Sequence, residues 1–137
     1  PYVKIKQSYV NQVSSLNELV STVDVIVVSV HLNAETNGML NSKLFDKMKD
    51  GVYLINTSRG AVINEGDLLK YLTNGKILAA GLDVLNNELV EGELQSPLIE
   101  YAKNNDNLVI TPHIAGLTFD SEEKAQTAAF DAIKKEL

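Results

Sequence analysis

Residues 52–72 read VYLINTSRGAVINEGDLLKYL and predict a buried strand, a polar loop and a helix, in that order. The apolar run at residues 52–55 is typical of a strand that is covered on both faces in a parallel sheet. Asn64 is a favourable N-cap residue, so a helix is predicted over residues 65–72. The polar residues 56–60 therefore follow the carboxyl end of a buried strand.

The same alternation of strand and helix extends to both sides of this stretch. Apolar runs predict strands at residues 25–30, 77–84 and 108–110, and a looser alternation indicates a short edge strand within residues 3–13. Helix-start signals predict helices from Ser15 in a capping box with Glu18, from Asn41-Ser42, and from Asp120 or Ser121 to Leu137. This order predicts an α/β fold in which helices cover both faces of a parallel sheet. The polar, acidic segment 86–96 interrupts the alternation.

Composition and charge limit the classes of function. The chain has 137 residues, the size of one small domain, with 45% hydrophobic and 22% charged residues. The formal net charge of −6 argues against nucleic-acid binding, which needs clustered Lys and Arg. The absence of cysteine excludes disulfides and thiolate chemistry and favours a cytoplasmic protein. The two histidines lie far apart in the sequence and show no metal-ligand spacing. No apolar run in the sequence has the length of a membrane span.

Chemically useful residues follow three of the predicted strands. In an open parallel sheet, ligands bind beyond the carboxyl ends of the strands. Arg59 follows the strand at residues 52–55, and His113 follows the last strand. Asp83 comes at the end of the strand between them, and Glu88 follows Asp83 by five residues. One arginine, two carboxylates and one histidine are therefore expected at one edge of the sheet.

Each of these residues has a functional and an ordinary interpretation. Arg59 can bind a carboxylate through two hydrogen bonds, or form a surface ion pair. His113 can pass a proton near neutral pH, or be an ordinary packed or exposed residue. Glu88 can orient His113, or be solvated in an acidic loop. Asp83 can lie beside a ligand or serve as a turn residue, and His31 can line a cofactor or be a loop histidine.

Four stretches of the chain resemble a known enzyme family. They are VVSVHLNAETNGMLN (27–41), MKDGVYLINTSRGAVINEGDLLKYL (48–72), ILAAGLDVLNNE (77–88) and NLVITPHIAGLT (107–118). Their order and spacing resemble those of the D-isomer-specific 2-hydroxyacid dehydrogenases, which include D-3-phosphoglycerate, D-lactate, glycerate and formate dehydrogenases. The resemblance covers most of residues 20–120.

The resemblance implies an NAD-dependent enzyme that transfers a hydride between the nicotinamide and a D-2-hydroxy acid or its 2-oxo acid. It implies that Arg59 binds the substrate carboxylate, that His113 carries the proton, and that Glu88 supports His113. The implied cofactor-binding residues are Val30, Thr57, Ser58, Arg59, Asp83, His113, Ala115 and Gly116. No metal is implied.

The chain also departs from the family pattern. His31-Leu32-Asn33 stands where the family usually has Pro-Leu-Thr, and Leu89 replaces the proline that follows the family's catalytic glutamate. The family's G-x-G-x-x-G loop, which cradles the pyrophosphate, does not occur in the chain. The resemblance therefore predicts an incomplete, Rossmann-like doubly wound parallel sheet that lacks its first strands and glycine loop.

This reading divides the chain into residues 1–120, a partial NAD-binding Rossmann domain, and residues 121–137, a C-terminal helix leading back toward an absent substrate domain. We expect such a chain alone to bind NAD weakly and to be inactive, and the full-length protein to be a homodimer acting on a small-molecule 2-hydroxy or 2-oxo acid. Overall likeness favours an acid of the phosphoglycerate type.

Two other functions remain open at this point. A non-catalytic NAD-binding regulator of the co-repressor type is built on the same scaffold and can keep Arg59, Glu88 and His113. Turnover of a 2-oxo acid would separate it from a dehydrogenase. An unrelated α/β binding domain is the third reading, and it requires the strand-end motifs to be coincidental.

Overall fold

A computed structural model describes residues 8–86, 88 and 96–136 of the chain. Its centre is a four-stranded, all-parallel sheet in the order β1-β2-β3-β4. The strands are β1 (Val25–Val28), β2 (Val52–Asn56), β3 (Ile77–Leu82) and β4 (Leu108–Ile110). Parallel neighbours need a crossover connection, and here the segments between strands contain helices. The predicted α/β, Rossmann-like parallel sheet is confirmed.

Five α-helices accompany the sheet in the described part of the chain: α1 (Leu16–Thr22), α2 (Ser42–Phe45), α3 (Glu65–Thr73), α4 (Pro97–Asn104) and α5 (Phe119–Glu136). Side-chain caps explain where the first three begin, because the side-chain oxygens of Ser15, Asn41 and Asn64 accept hydrogen bonds from first-turn amides. These starts and the start of α5 lie within two residues of those predicted from the sequence.

Helix α4 was not predicted, although it carries a local start signal. Ser96 caps it by accepting a hydrogen bond from the amide of Leu98 at 3.2 Å, and Pro97 occupies the first turn. The acidic stretch before Ser96 obscured this signal. The short edge strand predicted within residues 3–13 is not found over residues 8–13, which form a turn and irregular chain, while residues 1–7 lie outside the described part.

The core lies on one face of the sheet. Helices α2, α3 and α4 pack there, and α1 adds Val20. The rings of Phe45 and Tyr71 lie 5.3 Å apart between centroids, and the Tyr71 hydroxyl donates to the carboxylate of Asp46. This hydrogen bond, followed by burial and the Asp46 charge, raises the pKa of Tyr71 to about 12. This hydrogen bond thus joins the buried Tyr71 of α3 to Asp46, the exposed residue directly after α2.

The opposite face of the sheet remains exposed in the described part of the chain. Val27 and Val109 are 62% and 60% exposed, and Val25 is 51% exposed. The sequence predicted helices on both faces because its strands are apolar at nearly every position, whereas helices cover one face here. Within the described residues, no helix has the length and apolar character required to cross a membrane.

Candidate active site

The register of the sheet brings the strand ends to one level. Val28 is paired with Asn56, Asn56 with Leu82, and Leu82 with Ile110. The four loops that follow therefore leave the sheet at the same edge, as the sequence predicted. The loops that leave this edge carry all the candidate site residues, of which Glu88 and Gly116 lie farthest along the chain from the strand ends.

Asn56 shapes the loop that carries Arg59. Its side chain is fully buried, and its Oδ1 accepts hydrogen bonds from the amide and the hydroxyl of Ser58 at 3.0 and 2.8 Å. Its Nδ2 donates to the carbonyl of Arg59 at 3.0 Å. A buried amide that satisfies three partners fixes the local chain path. Asn56 was not predicted as a site residue, although an amide at the end of an apolar strand was the available signal in the sequence.

Arg59 lies at the surface of a polar cleft. Its Nη1 donates to the carbonyl of Ser58 at 2.6 Å, and among the described residues no carboxylate lies within ion-pair distance of it. The cleft has a volume of about 440 Å³ and is lined by Ser29, Val30, His31, Leu32, Thr57, Ser58 and Arg59. Three of the predicted cofactor residues, Val30, Thr57 and Ser58, therefore share one cleft with the predicted carboxylate-binding arginine.

The loop that departs from the family pattern has its own hydrogen bonds. Asn33 Oδ1 accepts from the amides of Glu35 and Thr36 at 2.8 and 3.0 Å. The Thr36 hydroxyl donates to the carbonyl of His31 at 2.6 Å. Asparagine commonly forms such turns. The substitution at Asn33 thus leaves an ordered loop that keeps His31 in the wall of the cleft.

Asp83 anchors the loop that carries His113. Its carboxylate is buried and accepts hydrogen bonds from the Thr111 hydroxyl and from the amides of Ile114 and Ala115, the two amide contacts measuring 3.0 and 2.8 Å. Burial alone would raise the pKa of Asp83, but these hydrogen bonds, with the nearby His113, outweigh it and lower the pKa below its ordinary value. Asp83 is therefore a fixed anion beneath the loop.

His113 and Glu88 form a direct pair. The Nδ1 of His113 lies 2.6 Å from Oε1 of Glu88, whose Oε2 accepts from the amide of Leu85 at 3.0 Å. The backbone of His113 adopts φ +56°, a left-handed conformation that is unusual for a residue other than glycine. The structure thus places Glu88 in contact with His113, and the orienting role that the family resemblance implies for Glu88 stays a prediction.

The candidate residues are distributed over three neighbouring clefts. Thr57, Asp83 and Ala115 line a second cleft of about 330 Å³, and Thr57 also lines the cleft of Arg59. Glu88 and His113 line a third, mainly apolar cleft of about 790 Å³ beside α4. Within the described residues, Arg59 and His113 therefore face different clefts at the same sheet edge. Gly116 lies beyond His113, and its carbonyl accepts from the Ser121 hydroxyl at 2.7 Å.

An all-parallel sheet with clefts at its carboxyl edge is the architecture of the Rossmann type, in which nucleotides bind beyond the carboxyl ends of the strands. Residues 1–115 match the family model described as "D-isomer specific 2-hydroxyacid dehydrogenase, NAD binding domain". The chain belongs to this family, which confirms the resemblance stated from the sequence.

Relatives and solved structures agree with this assignment. The chain is 36% identical over 121 residues to 4-methyl-2-oxopentanoate reductase A of Aspergillus oryzae, covering 88% of this chain and 34% of the relative. It is 39% identical over 120 residues to hydroxypyruvate reductase of Blautia hydrogenotrophica, covering 88% and 35%. D-lactate dehydrogenase of Aquifex aeolicus, solved with NAD and lactic acid, superposes with a TM-score of 0.72 at 36% identity, covering 88% and 39%. The chain thus spans about a third of the length of the relatives that it matches.

Proposed function

We propose that the protein carrying this chain is an NAD-dependent dehydrogenase that interconverts a D-2-hydroxy acid and the corresponding 2-oxo acid. The observation that carries the proposal is the 2.6 Å contact between Glu88 and His113, at the same sheet edge as an arginine with no ion-pair partner among the described residues. Family membership supports the proposal.

Each of the three side chains has a definite role in this reaction. Arg59 would bind the substrate carboxylate and polarise the carbonyl on which negative charge develops. Glu88 would accept the hydrogen bond from Nδ1 of His113 and so direct Nε2 toward the substrate oxygen. In oxidation, Nε2 would take the hydroxyl proton, and in reduction it would return a proton to that oxygen.

The side chains at this edge fit the nicotinamide part of a dinucleotide. Thr57 and Ser58 bring hydroxyl groups to a polar cleft, and Asp83 and Ala115 line the adjoining one. Bound NAD would supply the hydride acceptor for oxidation, and NADH the donor for reduction. We therefore propose that NAD binds along Val30, Thr57, Ser58, Arg59, Asp83, His113, Ala115 and Gly116.

We extend the proposal to the organisation of the protein. Residues 1–120 would form part of the NAD-binding domain, and residues 121–137 would lead toward a substrate domain. The acidic charge supports a protein that does not bind nucleic acid, and the absence of cysteine supports a cytoplasmic location. A homodimer is proposed from the family membership.

The test uses the full-length protein, with NADH absorbance followed over a panel of 2-oxo acids for wild type and His113→Ala. We expect wild type to reduce at least one acid and the variant to lose most of that rate, because His113 is the proton carrier in the proposed reaction. If wild type binds NADH but reduces none of the acids, the protein is a regulator on this scaffold and the dehydrogenase proposal fails.

A further inference from the structure

Glu65 makes two hydrogen bonds that the proposed reaction does not yet use. Its Oε1 accepts from the amide of Asn86 at 2.6 Å, and its Oε2 accepts from the hydroxyl of Ser96 at 2.6 Å. These partners lie 21 and 31 residues away along the chain. One carboxylate therefore holds two points that flank the segment carrying Glu88.

The first of these points lies close to the catalytic pair. Asn86 directly follows Leu85, and the amide of Leu85 donates to Glu88 Oε2 at 3.0 Å. Glu88 Oε1 in turn lies 2.6 Å from Nδ1 of His113. The contacts thus run without interruption from Glu65 through residues 85–86 and Glu88 to His113.

Gly60 packs directly against the same peptide. A Cβ atom at Gly60 would lie 2.0 Å from the carbonyl carbon of Leu85 and 2.4 Å from the nitrogen of Asn86. The peptide between residues 85 and 86 therefore contacts both Gly60, which directly follows Arg59, and the carboxylate of Glu65. This arrangement sets the position of Glu88 relative to the arginine loop.

The carboxylate of Glu65 is not needed to cap its own helix. Asn64 caps α3 by accepting from the amide of Asp67 at 2.9 Å. Ser96 caps α4 with an oxygen that accepts from Leu98, so its proton is free to be donated to Glu65. Hydrogen bonds to a carboxylate are stronger than those between neutral groups.

We propose that Glu65 is a positioning residue for the Glu88–His113 pair. This role rests on the proposed dehydrogenase function. Glu65 fixes the backbone at Asn86 and Ser96, and Glu88 can then hold the His113 imidazole in the orientation required for proton transfer. Loss of the carboxylate releases Glu88 and lowers the rate of the chemical step, whereas NADH binding at the Thr57 and Ser58 cleft is retained.

The first test compares Glu65→Ala with Asp67→Asn in the full-length protein. Asp67 is a matched control because it lies in the same helical turn and its Oδ2 also accepts a distant amide, that of Ser42, at 2.7 Å. We expect kcat to fall on the order of 10-fold to 100-fold for Glu65→Ala, with the Kd for NADH changed by less than about twofold. Asp67→Asn should lower the melting temperature and leave kcat within about twofold of wild type.

A double mutant distinguishes positioning from general destabilisation. In a Glu88→Gln background, Glu65→Ala should lower kcat by less than about twofold further, because Glu65 acts through Glu88. Glu65→Gln should restore part of the rate, since its amide oxygen can still accept from Asn86. Equal kcat losses in Glu65→Ala and Asp67→Asn, or multiplicative losses in the double mutant, would overturn the inference.

A spectroscopic readout separates this inference from the proposed function. In spectra of protein labelled with [15N]histidine, the His113 Nδ1–H signal should be protected from exchange in wild type and in Asp67→Asn, and be lost or broadened in Glu65→Ala. If wild type reduces no 2-oxo acid, the dehydrogenase proposal fails and this signal alone decides the role of Glu65. An unchanged signal in Glu65→Ala shows that Glu65 does not position His113.

Discussion

Replacing Gly60 by alanine should displace the backbone on which Glu88 depends. The added Cβ would lie 2.0 Å from the Leu85 carbonyl carbon and 2.1 Å from its oxygen. A Cβ atom essentially never lies closer than 3.0 Å to another heavy atom, so the two segments must separate by about 1 Å or more. The opposing atoms belong to the main chain and cannot move aside by a side-chain rotation.

The magnitude follows from this displacement. Overpacking a well-packed site costs about 1–3 kcal/mol, and the rigid main chain places Gly60→Ala near the upper end, about 3 kcal/mol. A shift of about 1 Å in a catalytic group can lower the rate on the order of 100-fold. We expect a loss of this order in kcat/KM, because the peptide that moves directly follows the Leu85 amide that donates to Glu88.

Urea denaturation and steady-state kinetics on the full-length protein measure the two effects. Gly66→Ala is the control, because a Cβ there meets only Asn64 Oδ1 at 3.5 Å. Since Gly66 lies within α3, its replacement should stabilise the protein by about 0.5–1 kcal/mol. A Gly60→Ala variant with wild-type stability and activity would refute the argument that the arginine loop and the Glu88 segment are held in register by this contact.

Two further predictions concern pH. Because the pKa of Asp83 is lowered in the folded state, its contribution to stability is present above the unfolded pKa of about 3.9 and is lost as the pH falls through the folded value. Asp83→Asn should therefore weaken the dependence of the unfolding free energy on acidic pH, measured by urea denaturation from neutral to acidic pH. The same decrease in unfolding free energy at acidic pH in wild type and variant would contradict this. The pKa of Tyr71 is raised to about 12 in the folded state. The contribution of Tyr71 to stability is therefore present below the unfolded pKa of about 10 and is lost as the pH rises from 10 toward 12. Tyr71→Phe should remove that alkaline dependence, whereas Tyr53→Phe, on the exposed sheet face, should retain it.

The features that were predictable from the sequence are those with local signals. The strand β2 and the caps Ser15 and Asn64 were predictable because apolar runs and N-cap residues act over a few positions. The limits of β1 and β3 were placed two residues too far at the carboxyl end, since apolar residues continue past the last ladder hydrogen bonds.

The features that escaped prediction depend on distant contacts. Glu65 looked like an ordinary helix-start residue, and its two partners lie 21 and 31 positions away. Asn56 gave no signal beyond its polarity, because its role is defined by the turn that it stabilises. The pairing of Glu88 with His113 was inferable because both follow strands at one sheet edge, but the separate clefts of Arg59 and His113 depend on side-chain packing.

The left-handed backbone of His113 lowers the stability of the fold at a residue whose side chain is needed for the proposed reaction. A side chain in this conformation costs on the order of 1 kcal/mol relative to glycine, and the hydrogen bonds of Asp83 to the next two amides hold it there. A domain shaped for stability alone would favour glycine or asparagine at position 113. The imidazole at position 113 is thus kept at a cost in folding stability. Substitutions that stabilise this loop by replacing His113 should therefore abolish activity.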